Sequence, residues 1–561
     1  MLAFLGKVLT VDLWTGRIEI ANYPSALAER FLAGRGANAY LLCQTVPVGT
    51  DPLGPDNPLI LSAGLLTGTA APSSSRLHVG ARSPLTGLLG SSNVGAHFGA
   101  ELRAAGWQVV ILNGRSERPV YLSIDGERVE LQVADGLWGL DAWRTQSALA
   151  ERPDLAGAKV LAIGPGGERL VRFACVMTER GHAAGRTGMG AVMGAKNLKA
   201  IAVRGDRREQ PVSDGARTAV RAYATAIREA PRYPSYARYS NSNYVTWADE
   251  LGILATRNYR QNRFEAAASI DGKRLIDYVT KPRSCHRCPV HCKAEVKIEA
   301  GRFAGTEGER PDIEPIMALG ARCGIADPEA VLYLYNLCGR LGIDAISAGA
   351  ALAFATDLFE RGIITTADTD GLALRWGDDR SLATLLERIA RREGFGDVLA
   401  EGVARAGAAI GRGAEEVAYH SKGLELTGYD PRAALATALA YAVSSRGADF
   451  TTVYPVPEFR WPPTRAEAEL GVRRGRRPLD RRRQGPAGEA HHSCVSGARR
   501  AGALQGRSTL GSGRFHLAAG SGAGDRPDRP NADGRRATDG GRAHRHPGEA
   551  VQSAPGGGPG R

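Results

Sequence analysis

The chain has 561 residues, 43% of them hydrophobic, which is enough apolar material for more than one domain core. No apolar run approaches the roughly 18 residues of a membrane-spanning helix. The opening Met1-Leu-Ala-Phe-Leu-Gly-Lys7 is too short an apolar stretch for a secretory signal, and 8 cysteines are too few for a disulfide scaffold, so a cytoplasmic location is expected. The formal net charge of +13 suggests an anionic partner only if it is spread along the chain. It is not: residues 471–561 hold 18 Arg and no Lys against 7 acidic residues, a net of +11, so only +2 remains for residues 1–470. No nucleic acid and no membrane is therefore expected as a partner.

In chain order, residues 1–208 read as β-rich. Val8–Leu13 runs into a turn at Thr15-Gly-Arg17, and Trp107–Leu112 and Val120–Ile124 each precede an Asn-Gly or Asp-Gly pair, the grammar of strands and turns. Val160–Gly164 and Leu198–Val203 are further strands. Residues 209–470 read as helical: Asp327-Pro328 supplies an N-cap and a first-turn proline, Glu329–Arg340 has helical apolar spacing with Gly342 as its stop, and Ala345–Arg361 ends at Gly362. Residues 471–561 hold 20 Gly and 7 Pro and lack Ile, Met, Tyr, Trp and Lys. Such a composition cannot offset chain entropy by apolar burial, so a disordered low-complexity tail is predicted. The fold class expected is α+β: a β-rich base domain, helical domains, and that tail.

Cys285-His-Arg-Cys288-Pro-Val-His-Cys292 places three thiols at C-x2-C-x3-C spacing. A fourth, distant cysteine would complete an iron–sulfur ligand set, which the spacing favours; the alternative is that the same thiols with His286 or His291 serve zinc, which would make a non-enzymatic metal-binding protein. Two polar glycine-rich loops follow the same logic of close ligand approach. One carries Ser73-Ser-Ser-Arg76 and then Gly87–Gly99 with Asn93 and Gly95; the other runs from Arg180 through Ala184-Gly185-Arg186-Thr-Gly188 to Lys199. Free backbone N–H groups there can cradle anions, and Arg76 and Arg186 can hold a phosphate in a two-pronged grip. Cys43, Cys175, Cys323 and Cys338 lie in apolar contexts and are expected to be buried thiols.

With these motifs in order, the chain resembles the aldehyde:ferredoxin oxidoreductase family of tungsten-pterin enzymes. The resemblance rests on Gly6-Lys-Val-Leu-Thr-Val-Asp-Leu-Trp-Thr-Gly16, the two loops, the cysteine motif, Pro311-Asp-Ile-Glu314, Leu341-Gly-Ile-Asp344, Gly428-Tyr-Asp-Pro-Arg432 and Ser445-Arg-Gly-Ala448, collinear over about residues 4–455. It implies a bis-pterin cofactor holding tungsten (or molybdenum) and a [4Fe-4S] cluster on Cys285, Cys288 and Cys292. It further implies pterin or phosphate contacts from Arg76, Asn93, Gly95, Ala184, Gly185 and Arg186 on the β side, and from Gly342, Ile343 and Asp344 on the helical side. Glu314 is the candidate acid/base. The implied reaction oxidises an aldehyde to a carboxylic acid, with electrons leaving through the cluster to ferredoxin or a similar carrier. A related member reducing an activated aromatic acid is the alternative, and a homodimer is implied by analogy alone.

The chain also departs from the pattern. Gly339 stands where the family has an acidic residue, and Asp449-Phe450 stands where many aldehyde-oxidising members have Cys-His, which removes a proton-transfer group. The family's fourth cluster cysteine sits in a Gly-hydrophobic-Cys-Lys context that Cys494 does not match. Read one base later, however, Ala503-Leu-Gln505 as GCN CTG CAA contains Cys-Lys, and Gln484-Gly-Pro-Ala487 as CAA GGC CCG GCN contains Lys-Ala-Arg, fragments of the family's C-terminal pattern. This predicts a single frameshift near residues 465–478 and an inactive truncated product unless the frame is restored. Sequencing the gene across codons 460–510 is expected to show TGC in the shifted frame over codons 504 and 505; its absence rules the frameshift out.

Overall fold

The computed structural model describes residues 5–206 and 213–452, with the isolated positions Thr464 and Ala468. The predicted 471–561 tail and the end of the 209–470 region lie outside the described residues.

Two six-stranded mixed sheets are built from residues 7–204. The first has the order β2(Ile18–Asn22), β1(Lys7–Asp12), β6(Trp107–Asn113), β3(Leu59–Ala63), β4(Leu77–Arg82), β5(Leu89–Val94). The second has the order β11(His182–Ala184), β10(Val176–Thr178), β9(Lys159–Ala162), β12(Leu198–Arg204), β7(Val120–Asp125), β8(Arg128–Val133). β1 is parallel to β6 and β7 to β12; the other ladders are antiparallel. Alternation does the sorting: Leu9 and Val11 of β1 are fully buried while their neighbours are only half so. Apolar residues of both sheets, among them Val79, Trp107 and Val110 from one and Leu122, Leu161 and Ile201 from the other, share one core. The β1–β2 turn is closed by Asp12 Oδ1, which accepts from the N–H groups of Trp14 (2.9 Å) and Thr15 (3.0 Å).

The two loops predicted from glycine content are more ordered than that composition suggests. Residues 89–94 pair along β4, 182–184 form β11, and Met189–Ala195 is a wholly buried helix. Their glycines serve packing: a Cβ on Gly190 would lie 2.5 Å from the Cys175 carbonyl oxygen. Cys175, Cys323 and Cys338 are buried as expected, but Cys43 is exposed, because it falls on the solvent side of the helix Arg35–Thr45 whose buried positions are Ala37, Asn38 and Leu42.

The region after residue 213 is mainly helical, as predicted, and adds two small sheets, one of β13(Val279–Arg283), β14(Lys293–Lys297) and β15(Glu307–Glu309), the other of β16(His420–Ser421) and β17(Leu424–Glu425). Pro328–Leu341 starts on an Asp327 cap, whose side chain accepts from Glu329 N, and ends at Gly342 in the left-handed conformation (φ 70°). At the centre lies the helix Ala345–Glu360, in which every residue from Ser347 to Leu358 is buried. Its Ala- and Gly-rich sequence lets neighbours approach closely: a Cβ on Gly349 would meet Ala318 O at 2.5 Å. That contact seats the helix Ile313–Leu319, which carries Glu314 in its first turn.

Gly349→Ala is therefore expected to lower unfolding stability by about 1–3 kcal/mol through overpacking. Gly215→Ala, with no atom within 4 Å of the added carbon, is expected to leave stability within about 0.5 kcal/mol of the parent. Urea unfolding of the two variants checks both values.

Candidate cofactor and catalytic site

The cysteine motif forms the loop between β13 and β14, with all three thiols partly exposed. Arg287 and His291 take positive φ (50° and 53°), which turns the backbone back on itself between the cysteines. The loop is pinned to the first sheet: His286 N donates to Ala96 O (3.2 Å), and the Ser73 hydroxyl lies 3.4 Å from Cys288 Sγ. Gly95 is required there, since a Cβ would sit 2.9 Å from Cys285 Sγ. Burial pushes the Cys292 thiol up to about 11; Asp312 and the two other thiols add to this and Lys293 opposes it. Lys293 itself is held between Glu309 (2.8 Å) and Asp312 (3.0 Å). Among the described residues no group of three or more His, Cys, Asp or Glu side chains is drawn together as a metal site. The donor chemistry, three thiols on one loop, fits a thiolate-held cluster for three of its bonds; Cys494 lies outside the described residues.

The predicted contacts from residues 184–186 and 342–344 gather at a seam between the second sheet and the helical region. Arg186, with φ 64°, is 6% exposed. Its backbone N–H donates to Asp344 Oδ1 (3.2 Å), its Nη2 donates to the carbonyls of Glu425 (2.5 Å) and Ala448 (3.3 Å), and Nη1 lies 3.6 Å from Asp344 Oδ2 with no hydrogen-bond partner. Asp344 also caps its own helix by accepting from Ser347 N (2.9 Å). Gly185 touches the same carboxylate, at 2.9 Å from a Cβ placed on it. Gly342 O accepts from Cys175 N (2.8 Å), Ile343 bridges to Ala174, and Ala184 pairs with Val176. Asn93 lies in β5 opposite His78 of β4, next to Ser92, whose hydroxyl donates to Arg186 O (3.0 Å), whereas Gly95 lies beyond β5 against Cys285. Arg76 opens β4 with an exposed side chain and lowers the pKa of Asp312. The fold thus brings Gly185 and Arg186 against Asp344, while Gly95 and Arg76 stand toward the cysteine loop.

Glu314 faces this seam. Its Oε2 accepts from Gly428 N (2.8 Å), and Oε1 is buried without a partner. Burial raises its pKa to about 7, outweighing the opposing Gly428 N–H, Arg186, Thr427 and Arg322. Around it stand Thr427, Tyr441 and Tyr259, all nearly buried. Tyr429 and Phe450 pack edge to face at 5.2 Å between ring centres. Asp449 has no thiol-like role: it pairs with Arg446 (2.8 Å) and accepts from the hydroxyls of Thr451 and Thr452. A Cβ on Gly339 would lie 3.5 Å from Trp143 Nε1, ordinary contact.

Thr427, Tyr441 and Arg322 were not singled out from sequence. Single Thr and Tyr residues have no diagnostic spacing, and their only signal is proximity to the Gly428–Arg432 run. Because Arg186 and Asp344 are both buried, Asp344→Ala is expected to destabilise the fold by about 3–5 kcal/mol, since it strands the guanidinium and removes a helix cap, while Asp344→Asn, which keeps the cap, should lose less. Chemical denaturation of both variants measures the difference.

Residues 8–205 match the aldehyde ferredoxin oxidoreductase N-terminal domain, and residues 218–491 match domains 2 and 3 of the same family, a match that runs past the compositional boundary at residue 471. The tungsten-containing aldehyde ferredoxin oxidoreductases of Pyrococcus furiosus and Thermococcus kodakarensis are 37% and 38% identical over 447 residues, covering 79% of this chain and 73% of each relative. The WOR-like subunit of an aliphatic sulfonate oxidoreductase from Pyrococcus furiosus is 32% identical over 488 residues, 82% of this chain and 76% of that one. Among solved structures, the active-site complex BamBC of benzoyl coenzyme A reductase with 1,5-dienoyl-CoA superposes with a TM-score of 0.70 at 30% identity, covering 79% of this chain and 69% of that one. With both domain models matched in order over most of its length, the chain belongs to the aldehyde ferredoxin oxidoreductase family and is an oxidoreductase.

Proposed function

We propose that this chain is a tungsten (or molybdenum) pterin-dependent oxidoreductase that interconverts an aldehyde and its carboxylic acid and exchanges electrons with ferredoxin or a similar carrier. The observation that carries the reading is the pair of unsatisfied buried atoms at one seam, Arg186 Nη1 and Glu314 Oε1. Buried polar atoms without partners are uncommon, and two of opposite character at one seam fit an anionic cofactor and a reacting substrate. When bound, the metal–pterin group supplies two-electron chemistry and the cluster divides it into single electrons. Arg186, Arg76, Asn93 and the 184–185 and 342–344 backbones would hold the pterin and its phosphates; Cys285, Cys288 and Cys292 would hold the cluster. Glu314, with a pKa near neutrality, takes or returns a proton at Oε1. Partial exposure of the cysteine loop gives an external carrier access. A soluble cytoplasmic setting fits, and among the described residues no helix is long and apolar enough to cross a membrane.

A second reading, reduction of an activated aromatic acid, is supported by Phe450, which replaces a proton-transfer histidine with an aromatic face against Tyr429, and by the likeness to a benzoyl coenzyme A reductase subunit. Metal and pterin analysis of the frame-restored protein is expected to find tungsten or molybdenum, pterin and about four iron atoms; iron without the other two defeats the proposal. Viologen-linked turnover should then favour aldehydes, and turnover of aromatic thioesters alone establishes the second reading.

A further inference from the structure

The cysteine loop is held by a second set of contacts besides those to the first sheet, and a buried cation is at their centre. Arg310 is 2% exposed. Its Nη2 donates to Cys292 O (2.9 Å) and its Nη1 to Arg238 O (2.7 Å), in the last turn of the helix Tyr233–Tyr239. The same helix grips the loop again, where the Tyr233 hydroxyl donates to Pro289 O (2.8 Å). Both acceptors of Arg310 are neutral carbonyls, its Nε is buried without a hydrogen-bond partner, and among the described residues no carboxylate forms an ion pair with it. Lys293, the other buried cation here, differs, because Glu309 (2.8 Å) and Asp312 (3.0 Å) neutralise it.

We propose that Arg310 is a positioning residue for the cluster, one that orients Cys292 through its backbone and, as a buried cation without a carboxylate partner, favours the reduced state. An unpaired buried charge is costly to the fold, and a thiolate-held cluster supplies the missing negative charge. The separation suits this role. A carbonyl oxygen lies within about 5 Å of the sulfur of its own cysteine, so the Arg310 guanidinium is within about 8 Å of Cys292 Sγ. At an effective dielectric constant of about 20, a unit charge at that distance changes a one-electron equilibrium at least about tenfold. Reduction adds one electron and one negative charge, and it makes or breaks no bond at Arg310. Because a guanidinium does not deprotonate, its effect is the same at every pH, unlike that of a lysine or histidine. This inference rests on Cys285, Cys288 and Cys292 holding an iron–sulfur cluster.

The test is a redox titration of the frame-restored full chain with dithionite and viologen mediators, followed by electron paramagnetic resonance of the cluster. Arg310→Gln is expected to shift the one-electron equilibrium about tenfold toward the oxidised form, the equivalent of a potential about 59 mV lower, and by the same factor at about pH 6 and about pH 8. Arg310→Met repeats the loss of charge if Arg310→Gln does not fold. Arg310→Lys keeps the charge and should stay within about threefold of the parent. Tyr233→Phe, which frees the loop at Pro289 without touching a charge, should match the parent. Loss of the cluster from Arg310→Gln and Arg310→Met with retention in Arg310→Lys supports the proposal, since the charge then decides assembly. A parent midpoint in cluster-bearing Arg310→Gln or Arg310→Met overturns it. A shift in Arg310→Lys or Tyr233→Phe as large as that in Arg310→Gln, or loss of the cluster from all three Arg310 variants, traces the effect to loop geometry and overturns it too. A parent chain that assembles no cluster overturns the cluster reading itself.

Discussion

The buried pairing of Arg186 with Asp344 is the constraint on which the site depends. Arg186 sits on a left-handed turn between β11 and a helix made only of glycine, alanine, valine and methionine, and Asp344 is the cap of the central helix Ala345–Glu360, buried from Ser347 to Leu358. A single carboxylate therefore bonds the backbone of the sheet side, opens the central helix and faces the guanidinium, while the other arm of that guanidinium reaches the carbonyls of Glu425 and Ala448. Four distant stretches of chain meet at one cation. Removing either charge would leave the other buried, which is why the pair can be kept even though burying ions is unfavourable in itself. It also leaves one guanidinium nitrogen uncommitted at the seam.

From that point the electrostatics of the site follow. Arg186 and Arg322 set a positive field at the seam, and Glu314 is the carboxyl group that faces it. Desolvation nonetheless wins, and the group titrates near neutrality rather than near 4.5. Because its folded pKa lies above its unfolded one, protonated Glu314 contributes stability that is complete below about pH 4.5 and is lost as pH rises through about 7. The cysteine loop is governed differently: Lys293, clamped by Glu309 and Asp312, is a fixed buried cation next to Cys292, and the loop is docked on the first sheet through Ala96 and Gly95.

Local order was legible where it depends on local chemistry. The strands at residues 8–13, 107–112, 120–124 and 198–203 follow from alternation and turn residues, and the helix after Asp327-Pro328 follows from its cap, its first-turn proline and its terminal Gly342. The glycine-rich runs at 87–99 and 180–199 were read as ligand loops, yet much of their glycine is spent on close packing in β5 and the helix Met189–Ala195, because glycine content reports that two backbones approach without saying whether the second belongs to a ligand or to the chain. Cys43 shows the same limit, since an apolar neighbourhood in sequence does not say which side of a short helix faces water.

Residue types and their spacing were sufficient to determine the three thiols on one loop, the near-neutral body behind the charge of +13, and the family to which the chain belongs. Tertiary structure alone decided that Arg186 and Asp344, 158 residues apart, share one contact, and that Glu314 accepts from Gly428 N across 114 positions of chain. Motifs record chemistry that recurs along the chain, whereas desolvation, orphaned buried atoms and hydroxyl partners exist only once distant segments have been brought together by the core.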